Sequence, residues 1–264
     1  MRFATGLGQY VPVASPLHAL DARTKMLLGA ALTASLFLVR GFGGIAALAV
    51  AVAVAVRVSR VPAGAALRGL RPVALLVALT LLLHAVTLDA AHAAIRVGRL
   101  GLDIAGLREG LFFGLRIVVL VVGTSLLTLT TTPIDLTDGL ERLMRPLARL
   151  GVPAGDIAMM LNVALRFIPT TAEEAERVIT AQQARGARFD EGGPAARVRA
   201  YVPVLVPLFV SLFRRADVLA TAMEARCYRG GHGRTRLRES EMRGGDWIAL
   251  AAGVALLAAI AVLG

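Results

Sequence analysis

Residues 181–188 read Ala181-Gln182-Gln183-Ala184-Arg185-Gly186-Ala187-Arg188, and residues 222–229 read Ala222-Met223-Glu224-Ala225-Arg226-Cys227-Tyr228-Arg229. Both fit one phrase, A-x-x-A-R-small-x-R, and both lie in the one long polar region of an otherwise apolar chain. Each copy closes a helical pattern and has a Gly in it or just after it. A single Arg at a helix end is explained by the dipole and the last free carbonyls, worth roughly 0.3–1 kcal/mol, and a following Gly by the usual helix stop. Two copies with Ala four residues and one residue before the Arg ask for more. Small flanks let a helix end approach another backbone closely, and the planar guanidinium offers a fork to carboxylates or carbonyls of a partner. The phrase therefore predicts a paired docking device made of Ala184, Arg185, Gly186 and Arg188 in one copy and Ala225, Arg226, Cys227 and Arg229 in the other.

The rest of the chain sets that device beside a membrane. Of 264 residues, 56% are apolar, and the mean hydropathy is +0.69. Long apolar runs with few charges are the mark of membrane helices. The net charge of +11 comes almost wholly from Arg, Lys25 being the only lysine, and fits a positive cytoplasmic face. Nucleic acid is not expected as a partner, because basic and aromatic residues are not interleaved. One cysteine, Cys227, excludes an internal disulfide and a Cys-based metal site. His18, His84, His92 and His232 are scattered without ligand spacing, so no metal site is expected.

The apolar runs are 26–39, 45–56, 72–88, 111–130 and 247–263. The first two are short for a core of about 30 Å, which takes roughly 20 helical residues. Arg40-Gly41-Phe42-Gly43-Gly44 between them reads as a tight turn, giving a hairpin of two spans or, alternatively, a broken re-entrant pair. Arg23, Lys25, Arg57, Arg60, Arg68, Arg71 and the arginines of 133–243 fall on one side of a five-span arrangement. That side is read as cytoplasmic, with the N-terminus inside and the C-terminus outside. Arg116, inside the fourth run, is expected to snorkel to the outer interface.

The stretch 133–243 is too apolar for a loop and too charged to span. Leu136, Leu140, Leu143, Met144, Leu147 and Leu150 recur at helical spacing, predicting a short amphipathic helix ended by Gly151 and Pro153. A second pattern runs from about Asp156 to Arg185 and a third from about Ala195 to Arg226, separated by Gly192-Gly193-Pro194. Each is apolar early and charged late. The apolar middle of the third, 201–213, gives about 20 Å of helix, too short to cross, and Pro203 and Pro207 are expected to kink it. The chain is thus expected to be all-α and polytopic, with about five membrane helices and three amphipathic helices. The expected segments are 1–25 (cytoplasmic), 26–132 (four spans), 133–243 (interfacial helices) and 244–264 (last span).

These features resemble the transmembrane T component of energy-coupling factor (ECF) transporters, a class of ATP-binding cassette importers whose hallmark is two Ala-Arg-Gly motifs at the ends of long coupling helices. Ala184-Arg185-Gly186 matches. Ala225-Arg226-Cys227 carries Cys in place of Gly; Cys is small enough for close approach, but if a Gly is needed there for a left-handed cap, that turn is expected to shift to Gly230 or Gly231. Gly8-Gln9-Tyr10-Val11-Pro12 and the segment from Ser15-Pro16-Leu17-His18 to Lys25 resemble the shared, multi-substrate form. The resemblance implies a non-enzymatic coupling subunit in the plasma membrane. It implies two cytoplasmic ATPase partners, each taking one Arg-bearing end, with ATP and Mg bound there and no cofactor in this chain. It also implies a membrane-embedded substrate-capture subunit, the S component, seated on the apolar parts of the long helices around Met160, Leu161, Leu165, Leu205 and Phe209. The transported micronutrient, a vitamin or transition metal, would be set by that subunit.

The alternative is a pathway-forming permease of an ordinary ATP-binding cassette importer, which predicts one coupling helix per copy and a homodimer. A membrane-bound enzyme would need clustered polar chemistry, whereas the carboxylates here are spread along helix surfaces. The absence of a Walker A loop excludes ATP binding by that route.

Overall fold

The computed structural model describes residues 10–87, 95–97, 100–230 and 242–264. In chain order the elements are α1 Pro16–Ala19, α2 Ala22–Leu38, α3 Phe42–Ser59, α4 Ala63–Arg68, α5 Arg71–Ala85, β1 Val86–Thr87, β2 Ile95–Val97, β3 Leu100–Leu102, α6 Ile104–Thr130, α7 Pro133–Met144, α8 Ala154–Ala184, α9 Pro194–Ala200, α10 Val202–Ala225 and α11 Gly244–Leu263. A 3₁₀ turn at Arg145–Leu150 follows α7. The protein is an all-α polytopic membrane protein. Its strands form one small antiparallel patch in the order β1-β3-β2. Gly8, Gln9, His92, Gly231 and His232 lie outside the described residues. The chain divides into two compact units, 10–139 with 242–264, and 140–230.

Phe42–Ser59, Ile104–Thr130, Pro194–Ala225 and Gly244–Leu263 are each long and apolar enough to cross a membrane. Three of these are among the five expected spans. The other two expected spans are shorter: α2 has 17 residues, with Arg23 and Lys25 in its first turn, and α5 has 15. The fourth long helical stretch, Pro194–Ala225, corrects the length argument made from 201–213. The apolar pattern does not stop at Phe213 but runs on through Val218 and Leu219, so α10 alone is 24 residues long. Pro203 stands in its first turn, where its missing N–H is no loss; Pro207 lies inside it. The third helical pattern is split at Tyr201, which belongs to neither α9 nor α10.

In the larger unit, Leu36, Val39, Ile45 and Leu48 are wholly enclosed, and Leu32, Val52, Val119 and Leu257 complete the core around them. α2 packs most extensively on α11, and α5 on α6. The α2–α11 approach is close enough that a Cβ on Gly253 would meet Leu28 Cδ2 at 2.5 Å, the small-residue contact typical of membrane helices. Asp21 and Asp103 cap α2 and α6 by accepting the N–H groups of Arg23 and Ala105 at 2.8 and 2.9 Å, as short polar residues before an apolar helix do.

Hydrogen bonds tie the two ends of this bundle. At one end Val11 N–H donates to Leu129 O at 3.0 Å, and Lys25 Nζ donates to Thr130 O at 3.0 Å and His18 O at 3.2 Å. There Asp246 accepts from Asp21 N–H at 2.8 Å and from Arg243 N–H at 2.9 Å. At the other end Gly41 N–H donates to Gly264 O at 2.8 Å, and Arg116 donates to Val39 O at 2.7 Å while lying over the Phe112 ring. Arg116 is thus held on the carbonyl that closes α2, where its charge also complements the helix C-terminus, at the end of the bundle away from Lys25, the end toward which it was expected to reach. Arg60, which donates to Ala14 O at 3.5 Å, falls at the first end with Arg23, Lys25 and Arg243. Within this unit Arg23, Lys25, Arg60 and Arg243 therefore share one end.

Candidate docking site on the paired helices

The smaller unit is built on α8 and α10. Gln182, near the end of α8, donates to the carbonyl of Pro203, at the start of α10, at 3.4 Å. At the far end Gly230, beyond α10, lies beside Asp156 in the first turn of α8. The two helices therefore run antiparallel, and Arg185 and Arg226 stand at opposite ends of the pair.

The two ends have the same backbone. Arg185 is the last residue with near-helical dihedrals, Gly186 turns left-handed at φ +88°, Gly186 N–H donates to Gln183 O, and Ala187 N–H donates to Gln182 O, both at 2.9 Å. At the other end Cys227 N–H donates to Glu224 O at 2.9 Å and Tyr228 N–H to Met223 O at 3.0 Å. This is the Schellman closure twice over. Cys227 itself adopts the left-handed conformation, φ +55°. The expected shift of that turn to Gly230 or Gly231 is therefore corrected: the closing hydrogen bonds hold the turn at Cys227 and impose it on a residue with a Cβ. Such a placement costs about 1–2 kcal/mol. Cys227→Gly is accordingly expected to raise the stability of this helix end by about 1 kcal/mol, read as greater protection of the Tyr228 amide from hydrogen exchange; unchanged protection would contradict the strain.

Ala184, Arg185, Gly186, Ala225, Arg226 and Cys227 are all exposed, and among the described residues the guanidinium of neither Arg185 nor Arg226 has a hydrogen-bond or ion-pair partner. Arg188 differs: it is engaged with Glu191 at 2.9 Å in a solvent-facing pair. Arg229 is exposed. Each end thus presents a free guanidinium next to small side chains and a turn.

The five apolar contact candidates do not form a single patch. Met160 and Leu161 are exposed on the first half of α8, with Leu165 half-buried, while Leu205 and Phe209 are exposed on the first half of α10. Because the helices are antiparallel, the two groups flank the pair at opposite ends, each alongside the Arg-bearing end of the other helix. Val202, Val206, Val210 and Phe213 extend the exposed apolar surface of α10. Two polar features were not read from the sequence. One is the cluster in which Asp246 takes the Asp21 N–H while Lys25 holds the His18 and Thr130 carbonyls, whose signal was a lone lysine before an apolar run. The other is an ion pair between α8 and α10: Arg215 donates to Glu174 at 2.7 Å, and Ser211 also donates to Glu174.

The chain matches the family described as CbiQ, cobalt transport protein, over residues 13–237. It is 47% identical to the energy-coupling factor transporter transmembrane protein EcfT of Heliobacterium modesticaldum, over 91% of this chain and 90% of that one. It is 46% identical to the protein of the same description from Thermosediminibacter oceani, over 93% and 92%. With that of Bacillus subtilis the identity is 43%, over 91% of each chain. Helices suited to a membrane, twin Arg-bearing ends and similarity along nearly the whole length agree, and the chain belongs to the family of energy-coupling factor transporter transmembrane proteins.

Proposed function

We propose that this chain is the non-catalytic coupling subunit of an energy-coupling factor importer in the plasma membrane. Arg185 and Arg226 each dock one ATPase subunit, and α8 and α10 pass the ATP-driven movement of those subunits to a membrane-embedded substrate-capture subunit that carries a vitamin or transition metal. ATP and Mg are bound by the partners, and the chain needs no cofactor of its own. The observation that supports this reading best is that one chain carries two equivalent Arg-bearing closures at opposite ends of an antiparallel pair. That is what a single copy serving two like partners requires; a permease working as a homodimer needs one closure per copy. Exposed apolar side chains on both helices suit a partner that slides in lipid, since apolar contact sets no fixed polar register.

The test is composition. The complex purified through this chain is expected to contain one copy of it, two ATPase subunits and one capture subunit, counted by native mass spectrometry. Two copies of this chain per complex would favour the permease reading instead. The N-terminus is cytoplasmic in this proposal, on the arginine bias. In a Cys227→Ser background, Arg40→Cys is expected to react with an impermeant thiol reagent in intact cells, and Gly64→Cys only after lysis. The reverse pattern would invert the topology.

A further inference from the structure

The two copies of the docking phrase are related by a shift of 41 residues, and the same shift holds beyond the phrase. It sets Thr180 on Thr221, Glu176 on Asp217, Ala175 on Ala216 and Thr170 on Ser211. It also sets Glu174 on Arg215, and those two side chains are the ones in contact, a pair 41 residues apart. When two equivalent helices pack antiparallel about a two-fold axis, a residue meets its own equivalent only at the axis. The Glu174–Arg215 contact therefore marks the pseudo-two-fold axis of the α8–α10 pair. Two identical charges there would repel; the repeat instead has Glu173-Glu174 in one copy and Arg214-Arg215 in the other, so the equivalents attract.

The position also fixes the lever arms. Glu174 precedes Arg185 by eleven residues, and Arg215 precedes Arg226 by eleven. Eleven residues are about three helical turns, roughly 16 Å. From one contact the two arms leave in opposite directions, equal in length, each ending in a free guanidinium. Glu174 accepts from both Arg215 and Ser211, the Arg215 guanidinium also lies 5.8 Å from the Phe167 ring centroid, and both charged side chains are half-buried, at 33% and 25% exposure. Apolar neighbours can slide past one another, whereas a hydrogen-bonded ion pair sets a register. A cleft lined by Thr170, Glu173, Arg177 and Val178 opens beside the pair, giving room for the crossing angle to change while the contact is kept.

We propose that Glu174 and Arg215, with Ser211, are positioning residues that form the fulcrum of the two coupling helices: they hold the crossing point while displacement of the Arg185 and Arg226 ends turns both arms about it equally. This rests on the coupling-subunit reading, and the experiment separates the two. Glu174→Ala, Arg215→Ala, Glu174→Gln and the exchange Glu174→Arg with Arg215→Glu are placed in the full transporter. Two quantities are read: ATPase subunits retained, and substrate imported per ATP hydrolysed.

The alanine variants are expected to retain both ATPase subunits and to hydrolyse ATP while import per ATP falls roughly fivefold or more, the scale of a half-buried polar coupling. The charge exchange is expected to recover most of that loss, and Glu174→Gln, which keeps the hydrogen-bonding oxygen and the shape, to fall between. Alanine variants that import normally per ATP overturn the fulcrum, as does a charge exchange no better than either single change. If an alanine variant fails to reach the membrane, the glutamine variant and the charge exchange decide on the same scale. A wild-type chain that retains no ATPase subunit would instead overturn the coupling reading itself, before the fulcrum is tested.

Discussion

Replacing both Arg185 and Arg226 with Glu is expected to leave the chain in the membrane with no ATPase subunit bound to it. Both guanidiniums are exposed and, among the described residues, unpartnered, so their removal takes nothing from the fold. In an assembled transporter each would become one half of a buried, hydrogen-bonded charge contact, and truncating one side of such a contact costs roughly 2–5 kcal/mol. Reversal to Glu adds repulsion. A single change leaves one docking end and should weaken import; the double change should abolish co-purification. Because the two sites stand at opposite ends of the helix pair, with separate partners, the two losses should be close to additive. Intact complexes and normal uptake in the double variant would remove the docking role from these residues.

The second large effect concerns the apolar flanks. Leu205→Arg and Leu161→Asp are each expected to abolish import while both ATPase subunits remain bound. Both positions are exposed on their helices, so the chain can fold around the new charge, but a partner burying that surface would have to desolvate it, at a cost of several kcal/mol. The antiparallel arrangement sharpens the expectation. The two substitutions lie on opposite ends of the pair, so if both abolish import, the capture subunit contacts both ends; if only one does, the contact is one-sided. In a shared transporter the loss should be equal for every substrate, because this chain would not choose among them. A change in which substrate is carried, or micromolar binding of a micronutrient by the isolated chain, would contradict the coupling role.

What could be read in the sequence was what local chemistry decides. Apolar runs gave α3, α6 and α11, because burial in lipid rewards continuity that shows in the chain itself. The A-x-x-A-R phrase gave both helix ends, because closure depends on the last few residues. What could not be read depended on partners distant along the chain. Nothing beside Arg116 signals that it would cap α2 through Val39 O, and nothing beside Asp246 signals Asp21. Cys227 misled for a different reason: side-chain preference disfavours a positive φ there, and two backbone hydrogen bonds overrule it. The end of α10 was read correctly, but its capacity to span was judged from 201–213 alone, because Arg214, Arg215 and Asp217 interrupt hydropathy without interrupting the helix. The fulcrum pair was in plain view as two charges, but only the antiparallel packing showed that they meet.

The pairing of α2 with α11 sets an order of events during synthesis. Among the described helices α2 is the first long one made and α11 follows all the others, so the surface around Leu28 waits for more than two hundred residues before its cover is made. Over that interval the backbone N–H groups of Asp21 and Gly41 have not yet met Asp246 and Gly264, which supply their acceptors in the finished bundle. The larger unit is therefore completed only after translation has passed the entire 140–230 unit, which can form while its neighbour is still open. Loss of α11 would leave the Leu28 face of α2 permanently uncovered in the membrane, a surface on which quality-control proteases can act.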